Sequence, residues 1–440
     1  MLRRLSQVTP AICLLFSTSL FAADDWSHQW PAWRGPSFSG VAPHADPPLT
    51  WSETENVAWK VAVPGKGHGS PIVWGDRIYL TTAIETERAG QAAAPDETAK
   101  TVPPERVHQF VVLCLDRATG ETLWSRVARE EVPREGMHQT NSYASSSPMT
   151  DGERLYVSFG SRGIYCFTLE GEPIWDRDLG EMRTRFGWGE GASPAVAEGV
   201  VVVTWDHEDD SFIVGLDAAT GEERWRQPRE EVTSWATPLI VPGEERTQVI
   251  VNGTKRVRSY ELSSGKLLWE CGGQTINVIP SPVHDDRAAY VMSGYRGAAL
   301  FALPLDATGD ITGSDRVLWQ LDRGTPYVPS PVLVEGKLYF TAGNNGILTC
   351  VNVATGEELF GPVRLPEVES VYASPVSADG RIYFCSRDGV TAVVAAKNEF
   401  EVIAVNRIDE PIDATPAVVG NAIYLRSAGH LYCLRQKQVD

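Results

Sequence analysis

Cysteine is scarce in this 440-residue chain: there are seven, no two adjacent and none spaced as Cys-x-x-Cys. That excludes a dithiol redox motif, a haem-attachment Cys-x-x-Cys-His and a ring formed by neighbouring cysteines. The eight histidines include no His-Glu-x-x-His. No glycine-rich phosphate loop follows a strand, and no Gly-x-Ser-x-Gly elbow occurs, so no standard hydrolase or nucleotide-binding motif nominates a chemistry. Positive charge is also short, with 39 Lys and Arg against 57 Asp and Glu, a formal net charge of −18. Without a basic stripe or polybasic tail, nucleic acid is excluded as the main partner. Long apolar runs are missing too. The one at Ala11–Ala22 is too short to span a bilayer comfortably. Arg3 and Arg4 precede it, and Ala22-Ala23 leads into Asp24-Asp25. Residues 1–23 therefore read as an export signal, with no lipid-attachment motif around Cys13. The expected product is a periplasmic or secreted soluble protein with no transmembrane segment after cleavage.

What the chain does have is a repeat. The stretch Ser147 to Trp175 shows the unit: Ser-Pro and a short apolar segment, a turn at Asp151-Gly152, then Leu155–Phe159. A turn at Ser161-Arg162-Gly163 leads into Ile164–Thr168, and one at Glu170-Gly171 into a segment carrying Trp175. Short apolar runs bounded by Gly, Asp and Ser predict consecutive antiparallel strands, here one four-stranded meander. The Ser/Thr-Pro mark recurs with prolines at 71, 148, 194, 238, 282, 331, 375 and 416, spaced 77, 46, 44, 44, 49, 44 and 41 residues apart. A period near 45 with four strands per unit predicts an all-β fold, an eight-bladed β-propeller of four-stranded antiparallel blades. Residues 24–440 then form one domain, with a polar and mobile insertion at 85–106 in blade 1.

Asp-x-Ala-Thr-Gly-Glu-x-x-Trp stands at Asp116 to Trp124, with variants ending at Trp225 and Trp269 and one ending in Phe360. Thr-Gly makes a turn, and the indole is large enough to wedge between neighbouring sheets, so these tryptophans read as structural. Cys114, Cys166, Cys350 and Cys433 hold the same strand position in different blades and read as small buried apolar residues, too far apart for disulfides. The last unit, Thr415–Leu434, has only three strands, whereas Val57–Val63 is an outer strand without its inner three. The two fragments are expected to complete one blade and so close the ring.

Strand alternation sorts the loops. The Asp/Glu-Gly and Thr-Gly turns fall on one rim, the bottom. The inter-blade connections and the hairpins between second and third strands share the top. The connections carry His68, His138, Asn141, Tyr143, Arg185, Trp188, Glu190, Trp235, Asn277, Tyr327, Tyr372 and Asp413. The hairpins carry Arg162, Asp206-His207-Glu208, Arg256, Tyr295-Arg296, Asn344-Asn345, Arg387-Asp388 and His430. Aromatic, Arg, His and Asn groups converging on a funnel suit ligand binding. The plainer alternative for each is that it satisfies loop carbonyls. The expected funnel comprises His68, His138, Asn141, Tyr143, Arg162, Arg185, Trp188, Glu190, His207, Trp235, Arg256, Tyr295, Arg296, Tyr327, Arg387 and Asp413. Guanidinium forks from several blades with a stacking Trp188 or Trp235 would fit a carboxylated quinone, an acidic peptide or a sugar acid. Asp413 and Glu190 are the bases such a funnel would use. Trp205-Asp206-His207-Glu208-Asp209-Asp210 has oxygen ligands enough for Ca²⁺, yet it occupies a hairpin tip, where solvated carboxylates are ordinary. No metal site is expected there.

The Ser/Thr-Pro blades with their Thr-Gly-Glu-x-x-Trp turns resemble the pyrroloquinoline quinone (PQQ) repeat family of quinoprotein-like propellers over nearly all of residues 24–440. Trp33-Arg34-Gly35-Pro36, Thr140-Asn141-Ser142-Tyr143, Gly187-Trp188-Gly189-Glu190 and Trp205-Asp206-His207-Glu208 look like an exported bacterial subgroup of it. The family includes PQQ-dependent alcohol dehydrogenases and non-catalytic members, among them the lipoprotein that scaffolds outer-membrane barrel assembly. This chain lacks the adjacent-cysteine ring, an alignable Glu/Asn/Asp set for calcium and the lipid anchor. The resemblance therefore implies a non-catalytic binding or scaffold module without a cofactor, meeting a protein, peptide or glycan at its top rim. The alternative is an alcohol or sugar dehydrogenase using PQQ and Ca²⁺. A hydrolase or lyase has no motif behind it.

Overall fold

The computed structural model describes residues 26–94 and 96–436. The predicted signal segment lies outside them. A row of three side chains builds most blades. In blade 2 (Met149–Thr150, Arg154–Ser158, Ile164–Thr168 and Pro173–Arg177), Tyr156 stands opposite Cys166, and Cys166 opposite Trp175. Blade 1 repeats the row as Tyr79, Cys114 and Trp124, and blade 6 as Tyr339, Cys350 and Phe360. The central residue must be small because the outer ring lies across it. In blade 3 it is Gly215, where a Cβ would come 2.2 Å from Trp225. All six cysteines of the described chain are buried and free, as expected from strand position for Cys114, Cys166, Cys350 and Cys433.

Eight such sheets follow one another around the ring, and two gain a short parallel strand. The outer indoles Trp124, Trp175, Trp225 and Trp319 dock on the next blade, whereas Trp269 of blade 4 donates to Gln248 Oε1 of its own blade at 3.2 Å. Trp124 donates Nε1–H to Leu169 O at 3.2 Å, Trp175 to Ala218 O at 3.0 Å and Trp225 to Leu262 O at 2.8 Å. The ring lies flat on the glycine of the neighbour's turn. At Gly221 the backbone has φ +69°, and a Cβ would sit 2.6 Å from Trp175. Glycine is demanded there both by the left-handed turn and by the ring above it. The motif tryptophans thus hold the ring together, as the sequence reading held.

Closure follows the predicted scheme. Val57–Ala62 pairs antiparallel with His430–Arg435, from Val57↔Leu434 to Ala62↔His430 with a bulge between Val57 and Trp59. It supplies the fourth strand of the last blade, whose other strands are Ala417–Val419 and Ala422–Arg426.

Two features go beyond the sequence reading. The segment before Val57 fills the lower end of the axial channel. Trp30 bridges Val73 of blade 1 through both backbone groups, Pro31 O accepts from Thr150 N of blade 2, and Val41–Ala42 pairs with Val376–Ala378 of blade 7. Arg34 is fully buried there and donates to Pro331 O of blade 6. Burial pulls its guanidinium down to about 9. The insertion at 85–106 is also not a free polar loop. Its first residues extend the strand Arg77–Ala89, and its middle docks on the loop above blade 3. Lys100 N donates to Phe186 O, Thr101 Oγ1 to Gly187 O at 2.6 Å, and Asp96 pairs with Arg183 at 3.3 Å. Three backbone and side-chain anchors offset the ordering entropy that a polar stretch alone would not.

Candidate functional site: the top funnel

The Ser/Thr-Pro mark has a job at the channel axis. Each hydroxyl accepts the backbone N–H of the equivalent residue one blade earlier. Ser70 N reaches Ser147 Oγ at 2.9 Å, Ser147 N reaches Ser193 Oγ at 2.9 Å, and Ser193 N reaches Thr237 Oγ1 at 3.1 Å. The chain continues through Ser281, Ser330 and Ser374 to Thr415 Oγ1. On the closing side Arg426, buried and with its pKa lowered to about 10 by burial, donates to Gly69 O and Thr81 O, both at 2.8 Å. Trp33 rises from the N-terminal plug and donates to Thr415 Oγ1 at 3.3 Å. This ring of hydroxyls and one indole floors a cavity of about 350 Å³.

Above the floor the wall is aromatic. Trp188, Trp235, Tyr295, Tyr327 and Tyr372 line it with His68, His138, Asn141 and Asp413. Trp188 stacks beside Trp235 (6.4 Å, 29°) and meets Tyr295 edge-on (6.5 Å), while Tyr295 and Tyr327 are 4.7 Å apart. Asn141 Nδ2 donates to Trp188 O at 2.9 Å, which fixes the loop carrying the indole. Asp413 is the one carboxylate on the wall. Its Oδ1 lies 2.7 Å from Arg387 Nε and its Oδ2 3.8 Å from His68 Nε2, and Arg387 stacks on Tyr372 at 4.6 Å. Burial lowers the His68 pKa, against the pull of Asp413, and Arg426 and Arg387 lower it further. Burial, then Arg387, lowers that of His138. Both imidazoles are therefore neutral at pH 7.

The structure brings His68, His138, Asn141, Trp188, Trp235, Tyr295, Tyr327 and Asp413 together on this wall. Arg387 backs it through Asp413, Arg296 stacks on Tyr295 at 5.4 Å, and the charge of Arg185 acts on Tyr327. The other expected residues lie elsewhere. Tyr143, Arg162 and Glu190 border an adjoining 60 Å³ pocket between blades 1 to 3, which shares Ser145, Gly191 and Trp235 with the funnel. There Tyr143 donates to Glu135 O and Arg162 Nε to Val132 O at 2.9 Å. Glu190 accepts from Ser161 N at 2.8 Å and from the Ser161 hydroxyl. Arg256 is spent on Asp310 (2.8 Å) and Glu270 (3.2 Å). His207 is buried, its Nδ1 facing Arg183 N and its Nε2 facing Asp210 O at 3.2 Å. The acidic run around it is equally committed. Asp206 holds Arg229 through two contacts of 2.7 and 3.0 Å, Glu208 accepts from Thr233, and Asp209 pairs with Arg183 at 2.6 Å. Sequence reasoning missed Trp33 and the floor hydroxyls as site residues. The dense Trp30-Pro31-Ala32-Trp33 cluster was the available signal for the first, and the periodic Ser/Thr-Pro mark for the second.

A family profile described as outer membrane protein assembly factor BamB matches residues 108–361 and, in a second overlapping match, 209–438. The chain belongs to this PQQ-repeat propeller family. No curated protein sequence matches it. Among solved structures it is similar to BamB from Moraxella catarrhalis, with 14% identity, 82% of this chain and 98% of that one covered, and a TM-score of 0.53. It is similar to a europium-containing methanol dehydrogenase at 11% identity, 92% and 90% coverage and a TM-score of 0.63. A quinohemoprotein alcohol dehydrogenase from Comamonas testosteroni gives 12% identity, 95% and 82% coverage and a TM-score of 0.63. At these identities the likeness is one of fold, and function has to be argued from the site.

The dehydrogenase neighbours raise the question of whether the funnel would suit a quinone with calcium. Its donor set does not. Ca²⁺ takes six to eight oxygen ligands, commonly several carboxylates, and the wall offers Asp413 alone, already against Arg387. Among the described residues no group of three or more His, Cys, Asp or Glu is placed to hold a metal ion. No helix of the described chain is long and apolar enough to cross a membrane.

Proposed function

We propose that the protein is an exported binding module that holds its ligand in the top funnel and does no chemistry on it. One observation carries this reading: six aromatic rings, from the N-terminal plug and four inter-blade loops and one hairpin, converge on a closed-bottomed cavity whose single carboxylate is already paired. Such a wall supplies stacking faces and neutral hydrogen-bonding groups. Its one base–hydroxyl pair, His138 Nδ1 at 2.7 Å from Thr140 Oγ1, has among the described residues no carboxylate at ion-pair distance to orient the imidazole, as a triad-type nucleophile would need. Membership of a family described by an outer-membrane assembly factor supports a recognition role over a catalytic one.

Tryptophan fluorescence of the purified protein, titrated with oligosaccharides, peptides, and PQQ plus Ca²⁺, tests the proposal. A saturable change with one ligand class is expected. Trp188→Ala should weaken it at least about tenfold, as hot-spot indoles do, with the thermal transition unchanged. PQQ-dependent reduction of an artificial dye with an alcohol or sugar would refute the reading and make the protein a dehydrogenase.

A further inference from the structure

Resting on the funnel as the binding site, we propose that its ligand is an acidic sugar: a short oligosaccharide bearing uronic-acid carboxylates. Charge is the first argument. The chain carries a net −18, and its arginines are mostly tied to carboxylates. Arg185 and Arg296 are different. Among the described residues neither has a carboxylate within ion-pair distance. Neither lines the cavity itself; both stand just outside it on the Tyr295–Tyr327 side, Arg296 over Tyr295 at 5.4 Å, and Arg185 against Phe186 at 5.1 Å with its charge felt at Tyr327. Arg387 and Asp413 cancel one another. That side of the funnel therefore carries two guanidinium charges with no carboxylate partner, a local field that attracts anions.

Unsatisfied groups at the same place are the second argument. Asn277, only 2% exposed, has an amide beside the Tyr327 hydroxyl that makes no well-formed hydrogen bond, and the Nε of Arg185 is buried without a partner. Buried polar atoms left open beside a cavity are completed by what enters it. Asn277 and Arg296 both hold left-handed backbone, at φ +58° and +51°. Strain of that kind in non-glycine residues gathers at ligand clamps.

Shape decides for a sugar over an extended chain. The cavity is a blind axial cup, floored by Trp33 and the hydroxyl ring, so an end enters it and nothing threads through. A pyranose has an apolar C–H face to lie on Trp188 or Trp235. Its hydroxyls can reach the neutral His68 and His138 and Asn141, while its carboxylate meets the guanidinium forks of Arg185 and Arg296.

Calorimetry at low and high salt tests this with three uronic-acid trisaccharides (galacturonic, mannuronic and glucuronic), their carboxyl-reduced neutral counterparts and a triglutamate peptide. At least one acidic trisaccharide is expected to bind saturably, about 10- to 100-fold more tightly than its neutral counterpart, the range of one charge-assisted hydrogen-bond set. Arg185→Gln and Arg296→Gln should each erase most of that preference while leaving neutral-sugar binding and the thermal transition in place, and salt should weaken only the acidic ligand. Equal binding of acidic and neutral forms overturns the inference, as does a preference for triglutamate. If no trisaccharide binds but another ligand class does, and Trp188→Ala abolishes that binding, the sugar is wrong and the funnel reading stands. If no ligand class binds, both fall.

Discussion

Replacing Glu190 by Gln should stabilise the protein at alkaline pH and leave it unchanged in acid. Burial pushes the Glu190 carboxyl up from 4.5 to about 7, helped by the nearby Glu135 and opposed by two hydrogen bonds from Ser161 and by Arg162. The folded state therefore holds a proton that the unfolded chain releases near 4.5. A raised carboxyl contributes stability that is complete below the unfolded value and is lost as pH rises through the folded one. The rise from 4.5 to about 7, at about 1.36 kcal/mol per pH unit, comes to about 3 kcal/mol between pH 4 and pH 8. Glutamine mimics the protonated acid: its carbonyl accepts from Ser161 N and its amide donates to the Ser161 hydroxyl. Other groups titrate in the same window. The lowered pKa values of His68 and His138 act in the opposite direction, favouring the fold as pH rises toward their unfolded value. The quantity to measure is therefore the difference between wild type and Glu190→Gln, in which titrations independent of Glu190 cancel and only that of the coupled Glu135 does not. Urea unfolding at half-unit pH steps should show the two coinciding near pH 4 and the variant ahead by about 3 kcal/mol at pH 8. Ser161→Ala, which removes a donor to the ionised form, should move the wild-type loss to higher pH. Parallel pH profiles for wild type and Glu190→Gln would show that Glu190 is ionised at an ordinary pKa in the fold and would refute the argument.

Substitutions at three further positions probe the ring. Gly215→Ala puts a methyl 2.2 Å from Trp225; the overpacking should cost about 1–3 kcal/mol, read from thermal unfolding, and an unchanged melt would mean the indole has room to move. Trp175→Ala should cost about 3–5 kcal/mol, whereas Trp175→Phe, which keeps an aromatic ring near Gly221 and loses the hydrogen bond to Ala218 O and part of the indole's buried volume, should cost less, about 1–3 kcal/mol in the same assay. Ser193→Ala leaves the buried Ser147 N–H without its acceptor and should cost about 1–3 kcal/mol in urea unfolding; Ser193→Thr should restore it, because Thr237 and Thr415 already serve the same role.

The blades were legible in the sequence because each recurring residue does one backbone job at one place. Ser/Thr-Pro sets the axial ring, Thr-Gly makes room for a neighbour's indole, and a missing fourth strand at one end matches a surplus strand at the other. The site was legible only to the depth of a rim. Strand alternation tells which loops share a face, and it put Trp188, Trp235, Tyr295 and Tyr327 on one rim, where all four line the same cavity. It does not tell which way a side chain turns within that face. Arg256 turns to Asp310, 54 residues further on, and Glu190 turns to Ser161, 29 residues back. Partners so far apart in the chain leave no local pattern. Trp33 lies outside the repeat altogether, so no periodicity could assign it to the funnel floor.

That floor has a consequence for how binding and folding are coupled. An eight-bladed ring leaves an open axial channel, and here residues 30–42 fill its lower end, pairing with blades 1, 2 and 7 and reaching blade 6. The cavity above is thereby a cup. Its floor and wall join Trp33 from one end of the described chain to Asp413 and Thr415 from the other. Between them the outer strand Val57–Ala62 must already be paired with His430–Arg435. The site is thus assembled by the same long-range contacts that close the ring, which are the most entropically demanding contacts in the fold. A ligand in the funnel stabilises the closed ring by mass action. Weakening the closing strand should lower ligand affinity without touching any residue of the wall.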